Sequence, residues 1–265
     1  MQFPPPGPAP IVRFEDLGRL GYREAWDYQT AVHRGLVARK KTFGFERPDV
    51  PPEHAVLFVE HDPVYTLGKS GSIEHLLLDE AGLRARGVEF HRINRGGDIT
   101  FHGPGQVVGY PILDLDWFFH DVRRYVSALE EAVIRTLAEY GLAATRYEGY
   151  TGVWLPPTEA TGGVGLPAKP ALPWRKICAI GVHLSRWVTL HGFAFNVNTD
   201  MSYFAGIVPC GIASANHAVT SLAAELGAAQ DFEGVKARLR ENLAHVLGFT
   251  YAQVATAPSG APAPR

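Results

Sequence analysis

Cysteine is nearly absent from this chain of 265 residues, which holds only Cys178 and Cys210. Without a CxxC pair, a structural zinc site built on thiolates is not expected, and one disulfide is the most that could form. A cytosolic chain has little use for that disulfide, so two free thiols are expected, inert or reactive. No apolar run reaches membrane-spanning length, and MQFPPPGPAP at the N-terminus lacks the basic and apolar stretches of a secretion signal. A cytoplasmic protein with no membrane partner is expected. An excess of either charge is missing too. The 25 Lys and Arg against 27 Asp and Glu give −2, which offers a nucleic-acid partner no bulk attraction. A phosphate-binding P-loop is also absent. LGKSG (67–71) has the ending of one, but the required Gly five residues before Gly68 is Pro63.

What is present points to a packed fold, with 46% hydrophobic and 20% charged residues. The periodicity predicts an amphipathic helix over 22–40, with Tyr22, Ala25, Trp26, Ala31, Val32 and Leu36 as its apolar stripe. A short helix follows at 79–87, then the clearest one at 121–141, with Asp121 as N-cap and Gly141 at its end. Others are predicted at 219–227 and at 231–248, between Asp231 and Gly248. Strands are predicted at 11–18, 55–60, 88–94 and 106–115, within 142–155, and as a pair over 175–198. Along that pair's second strand Leu190, Gly192, Ala194 and Asn196 take one side, and Phe193, Phe195 and Val197 the other. Helices and strands alternate irregularly. An α+β fold is expected: a mixed β-sheet with helices on one face, and not a doubly wound one. Residues 1–10 read as a flexible Pro-rich tail, 156–174 as a Pro- and Gly-rich loop insertion, and 249–265 as a disordered tail.

The densest signal is RGGDITFHGPGQ (95–106). Five of its residues are Gly or Pro, yet it lies between two strand-like runs. Glycine serves where backbone must come close to a ligand, and this stretch also carries Arg95, Asp98 and His102. It reads as the wall of a binding site. His61 and Tyr65, near a strand end, are further pocket candidates. Cys210, in the turn-like PCG, is a candidate nucleophile, whereas Cys178 sits in the apolar run KICAIGV as a small core residue would. A thiol needs help to ionise. Lys176, His102, His191 and His217 are all candidates, and the sequence does not choose among them.

RGGDITFHGPGQVVGYPILDL, RKICAIGVHLSRWVTLHGFAFNVN, IVPCGI followed by VTSL, and EHDPVYTLGK together resemble the lipoyl(octanoyl) transferase family of lipoate biosynthesis. The likeness runs over about residues 11–248. It implies a catalytic domain similar to those of biotin and lipoate protein ligases, with a small appended subdomain. It implies an acyltransferase that moves octanoyl from acyl carrier protein to a lysine of a lipoyl domain, in 2-oxoacid dehydrogenase complexes or the glycine cleavage H protein. Cys210 is then the nucleophile that carries the thioester, and Lys176 lowers its pKa and acts as acid and base. The family's substrate-contacting segments fall on Arg95, Gly96, Gly97, Asp98, Ile99, Thr100, Phe101 and His102, on Ala179, Ile180 and Gly181, and on Gly192, Phe193 and Ala194. Neither cofactor nor metal is implied. Tyr65, Phe101, Ile180 and Phe193 are candidate linings for the octanoyl tail. Cys178 replaces the family's usual Ala, and as residue i+2 from Lys176 it is expected near the site, where it could pair with Cys210. The competing readings are an ATP-dependent ligase of the lipoate or biotin type and a non-catalytic module that binds carrier protein.

Overall fold

The structure, a computed structural model, is described for residues 9–43, 52–159, 171–209 and 217–253. The chain runs β1 (Ile11–Leu20), α1 (Tyr22–Phe43), β2 (His54–His61), β3 (Val64–Leu67), α2 (Glu80–Arg86), β4 (Glu89–Arg92), β5 (Ile99–His102) and β6 (Gln106–Ile112). It continues α3 (Val122–Ala138), β7 (Thr145–Tyr147), β8 (Tyr150–Leu155), β9 (Trp174–Ser185), β10 (Val188–Asn196), β11 (His217–Val219), α4 (Leu222–Leu226), α5 (Phe232–Leu247) and β12 (Thr250–Tyr251).

One large mixed sheet has the order β12-β1-β2-β6-β10-β9-β8-β7, with β11 added alongside β9. The β1–β2, β1–β12 and β9–β11 pairs are parallel, and the others are antiparallel. A second, three-stranded sheet, β4-β3-β5, stands beside it with a small apolar core of its own around Tyr65, Leu67, Ile99 and Phe101.

Strand period assigns side chains to the two faces of the large sheet. Val56, Phe58, Phe193 and Phe195 point to one face, where Leu129, Val133 and Leu137 of α3 and Val235, Leu239 and Leu243 of α5 cover them. Ala55, Leu57, Val59 and Ala194 point to the other, under Ala25 and Leu36 of α1. Helices therefore lie on both faces, not on one as the sequence suggests. The apolar face of α1 is also narrower than expected. Tyr22, Ala25, Gln29, His33 and Leu36 are its buried line, and Ala31 is exposed. Two of the five are polar, and Gln29 Oε1 accepts a hydrogen bond at 3.1 Å from the His191 backbone N–H.

The predicted caps Asp121 and Asp231 accept from backbone N–H groups at their helix starts, as does Asp79, and Gly87 and Gly248 close helices at positive φ. α3 ends at Ala138, three residues before Gly141. Sequence reasoning misses β11, a three-residue strand whose last residue, Val219, opens the helix predicted over 219–227; α4 starts only at Leu222. The expected disordered tail is corrected at its start: Phe249 is buried, and Thr250 and Tyr251 pair with Ile11 and Val12. At the base of the 156–174 insertion Thr158 and Leu172 bridge each other; 160–170 lie outside the described residues.

Candidate active site

β9 and β10 form the floor of a cleft of about 500 Å³, and the Gly-rich segment forms one wall. The start of that segment is held from two sides. The Gly96 N–H donates to the Val182 carbonyl on β9 at 2.9 Å, and the Lys69 and Ser70 N–H groups donate to Arg95 and Gly97 carbonyls. A Cβ on Gly68 would lie 2.3 Å from the Gly97 carbonyl oxygen, so this glycine permits two backbones to stack. Of the residues that resemble a P-loop ending, Ser70 reaches the cleft and Gly68 and Lys69 back its wall.

Of the expected substrate-contacting residues, Arg95, Gly97, Asp98, Thr100 and His102 line the cleft, as do Ala179, Ile180, Gly181, Gly192, Phe193 and Ala194. Three do not. Gly96 is the staple to β9, while Ile99 and Phe101 face the core of the small sheet. The alternation of β5 explains the split, since Thr100 and His102 share one side and Ile99 and Phe101 the other. Tyr65 and Phe101 are therefore not linings for an acyl tail: Phe101 is stacked on Tyr203, and the Tyr65 hydroxyl donates to the Tyr203 carbonyl at 2.5 Å. His61 is fully buried behind the cleft, with ring nitrogens on the Leu20 carbonyl and the Tyr110 hydroxyl.

Lys176 is buried, at 7% relative exposure, on the cleft floor, where both β8 and β11 pair with β9. Its Nζ lies 4.7 Å from the centre of the Trp154 ring, a cation–π arrangement. The β8 strand that carries Trp154 is anchored from below, where the buried Glu130 of α3 accepts from the Gly152 N–H at 3.0 Å and holds Arg146 at 3.1 Å. Lys176 also lines a second cavity of about 370 Å³, with Trp154, Phe204, Pro209, His217 and Val219 among its walls. Cys210 lies outside the described residues, and Pro209 is the last residue before it.

Cys178 does not share the cleft with Lys176. Facing β8, Lys176 pairs with Trp154 and Cys178 with Val153, so Ile177 is an extra residue. This β-bulge reverses the side-chain alternation, and the i, i+2 rule fails there. Cys178 is fully buried in the helix-covered core; its thiol donates to the Ala179 carbonyl at 3.6 Å, and burial pushes its pKa far up. The expected closeness of Cys178 to the site is overturned, and with it the accessibility that a pairing with Cys210 would need. The bulge also brings the Cys178 carbonyl within 2.5 Å of where a Cβ on residue 152 would sit. Gly152, at φ +120°, fills that place.

The inner end of the cleft is polar, with neutral imidazoles beside the buried Arg95 guanidinium. Burial, then His61 and Arg95, hold the His102 imidazole well below its ordinary pKa; burial and Arg95 push His191 down to about 3. His102 Nδ1 meets Gln106 Oε1 at 2.9 Å, and Gln106 Nε2 donates to the Phe101 carbonyl and to Asn196 Oδ1. With those roles set, Nδ1 carries the proton and Nε2 accepts from the Thr66 hydroxyl at 3.2 Å. His191 Nε2 meets Asn94 Oδ1 at 2.8 Å. Both imidazoles are fixed and neutral, and neither shares the second cavity with Lys176. Of the proposed helpers only Lys176 and His217 do.

Tyr22, Ser70, His75, Tyr110 and Tyr150 also line the cleft, unannounced by the sequence. Tyr22 reads there as part of an apolar stripe, Tyr110 as an ordinary strand aromatic, and His75 sits in a short turn with no pattern around it. Among the described residues no cluster of three His, Cys, Asp or Glu is arranged to hold a metal ion, and no helix is long and apolar enough to cross a membrane.

Residues 22–244 match the family model for the lipoyl protein ligase A/B catalytic domain. A relative named octanoyltransferase from Flavobacterium johnsoniae is 51% identical over 237 residues, covering 89% of this chain and 96% of the relative. Another octanoyltransferase, from Christiangramia forsetii, is 54% identical over 216 residues, covering 82% and 86%. Among solved structures, the bipartite lipoate protein ligase of Thermoplasma acidophilum superposes with a TM-score of 0.62 at 16% identity, over 94% of this chain and 88% of that one. A lipoate-protein ligase A bound with ATP gives 0.58 at 14%, over 94% and 90%. At those identities the likeness is one of fold, and it agrees with the ligase-like mixed sheet expected from sequence.

Proposed function

The chain belongs to the octanoyltransferases of the lipoyl protein ligase A/B catalytic family and is an acyltransferase of protein lipoylation; from that premise we propose its route. Octanoyl leaves the phosphopantetheine thiol of an acyl carrier protein, becomes a thioester on Cys210, and passes to a lysine of a lipoyl domain. The acceptors are lipoyl domains of 2-oxoacid dehydrogenase complexes or the glycine cleavage H protein.

The observation that carries this reading is the position of Lys176. It is the buried cation where the cleft and the second cavity meet, and Pro209 lines the second cavity with it. Chain connectivity keeps the Cα of Cys210 about 3.8 Å from that of Pro209. An ammonium near a thiol favours the thiolate, the form that attacks a thioester. The cleft supplies Val108, Ala179 and Ala194 as apolar surface for an acyl chain, the Phe193 ring being turned to the helix-covered core, and the fixed polar groups at its inner end limit its length. A thioester keeps the acyl group activated, so no nucleotide is consumed, in keeping with the failed P-loop. After acylation Lys176 is free to give up its proton and then to accept one from the incoming amine.

Incubated with octanoyl-carrier protein and no nucleotide, the wild type is expected to gain one octanoyl mass and Cys210→Ala none. Labelling that persists in the variant overturns the assignment of the nucleophile. Transfer from free octanoate that requires ATP would instead favour the ligase reading.

A further inference from the structure

We propose that His75, oriented by Asp98, is the second proton acceptor of the lysine-acylation step. The proposal rests on the two-step route above and follows from counting its protons. In the resting enzyme Cys210 is a thiolate and Lys176 an ammonium. The thiolate attacks the donor thioester, the new C–S bond forms, and the donor's C–S bond breaks. The departing donor sulfur takes the proton of Lys176, which becomes a neutral amine. The acceptor lysine arrives as an ammonium, with an ordinary pKa of about 10.4. It gives one proton to Lys176, and its lone pair attacks the thioester carbon. The adduct's nitrogen still carries one proton more than the amide product. As the C–S bond breaks, Cys210 leaves as a thiolate and re-forms its pair with the Lys176 ammonium. Two protons have left nitrogen, and Lys176 has room for one.

His75 is built to take the other. It lines the same cleft as Lys176. Its backbone is stitched to the segment leading to the nucleophile: the Val208 N–H donates to the His75 carbonyl at 2.8 Å, and the Leu77 N–H donates to the Gly206 carbonyl at 2.9 Å. Val208 is two residues before Cys210. His75 Nδ1 lies 2.5 Å from Asp98 Oδ2, and the Asp98 side chain is only 12% exposed. Nδ1 makes no hydrogen bond there, so the contact sets the charge of the carboxylate against the edge of the ring. Asp98 is in turn fixed by the Ile99 N–H, which donates to its Oδ1 at 2.7 Å. With Nδ1 turned to Asp98, Nε2 is the nitrogen left for substrate. The side chain is 31% exposed, enough to pass the proton on to solvent. The other charged or titratable groups around this cleft are Arg95 from the Gly-rich segment, Lys176 from β9, Tyr150 from β8, Tyr22 from α1, Tyr110 from β6, and the neutral His102 and His191.

The first half-reaction needs no second acceptor, and the test uses that asymmetry. Acyl-enzyme formation and its discharge onto a lipoyl domain are timed separately in single turnovers. His75→Gln is expected to acylate at the wild-type rate and to discharge about 100-fold more slowly. Imidazole added to His75→Ala restores part of the discharge rate, which it would not do for a merely structural residue. Asp98 is a positioning residue. Asp98→Asn slows discharge about 10-fold, and Asp98→Glu, which keeps the carboxylate, restores part of that loss. If His75→Gln slows both half-reactions equally, or neither, the proposal is overturned. A wild type that never acquires an octanoyl group overturns the route beneath it.

Discussion

The two faces of β9 obey different rules. On the helix-covered side Ile177 and Cys178 are fully buried among apolar side chains, and the thiol there is held protonated. On the cleft side Lys176 is nearly as buried, yet it faces cavities, an aromatic ring and polar neighbours. One extra residue in the strand separates the two environments. The comparison teaches that a sheet can present a buried cation and an inert thiol two residues apart, provided a bulge turns one of them over.

The largest effect expected on the cleft side comes from Lys176→Ala. Loss of the cation should slow octanoyl transfer about 1,000-fold, within the usual range for a proton-transfer group, while leaving the thermal midpoint close to that of the wild type. A variant that unfolds as readily as it loses activity would show that Lys176 holds the sheet together instead.

Next in size is the pH dependence of stability, which belongs to the cleft side. Burial depresses His61 to about 4 and His191 to about 3 in the folded protein. The unfolded chain binds protons on these groups from about pH 6.5 downwards. Their contribution is therefore fully present above pH 6.5 and is lost as pH falls towards 4, by up to about 3 kcal/mol for a group such as His61. Urea midpoints should fall between pH 7 and pH 5, and less so in His191→Gln. A flat profile would contradict the assignment of neutral, buried imidazoles.

Smaller again is Gly192→Ala. A Cβ there would meet the Gly109 carbonyl oxygen at 2.1 Å and Pro111 Cδ at 2.8 Å. The floor must shift, at a cost of about 1–3 kcal/mol, with KM for the donor rising before kcat falls. Unchanged KM with unchanged stability would mean that the floor yields freely. Smallest is Cys178→Ala on the helix side. It should cost about 1 kcal/mol of stability and leave both half-reactions intact, measured by single-turnover rates and denaturant midpoint.

Much of this was legible in the sequence, for identifiable reasons. The capped helices and β10 carry strong local signals: Asp at the start, Gly at the end, or a clean period of two. The Gly-rich segment announced a wall because glycines mark close backbone approach, and Gly68 and Gly96 show where that approach occurs. What failed was what local pattern cannot hold. The bulge at Ile177 leaves no signature in KICAIGV. α1 reads as an ordinary amphipathic helix, although its buried line includes Gln29 and His33 to serve the sheet beneath. β11 is too short to have a period. His75 was missed because its neighbours, Asp98 and Val208, are distant in sequence and meet it only in the fold.

The contrast between the two thiols is tested most directly by alkylation as a function of pH, with peptide mapping of each cysteine in the wild type and in Lys176→Ala. Cys210 should react with an apparent pKa below the ordinary thiol value of about 8.5 and lose that advantage in the variant, while Cys178 stays unlabelled throughout. Labelling of Cys178 in the folded protein, or a Cys210 profile that the lysine does not move, would contradict the account.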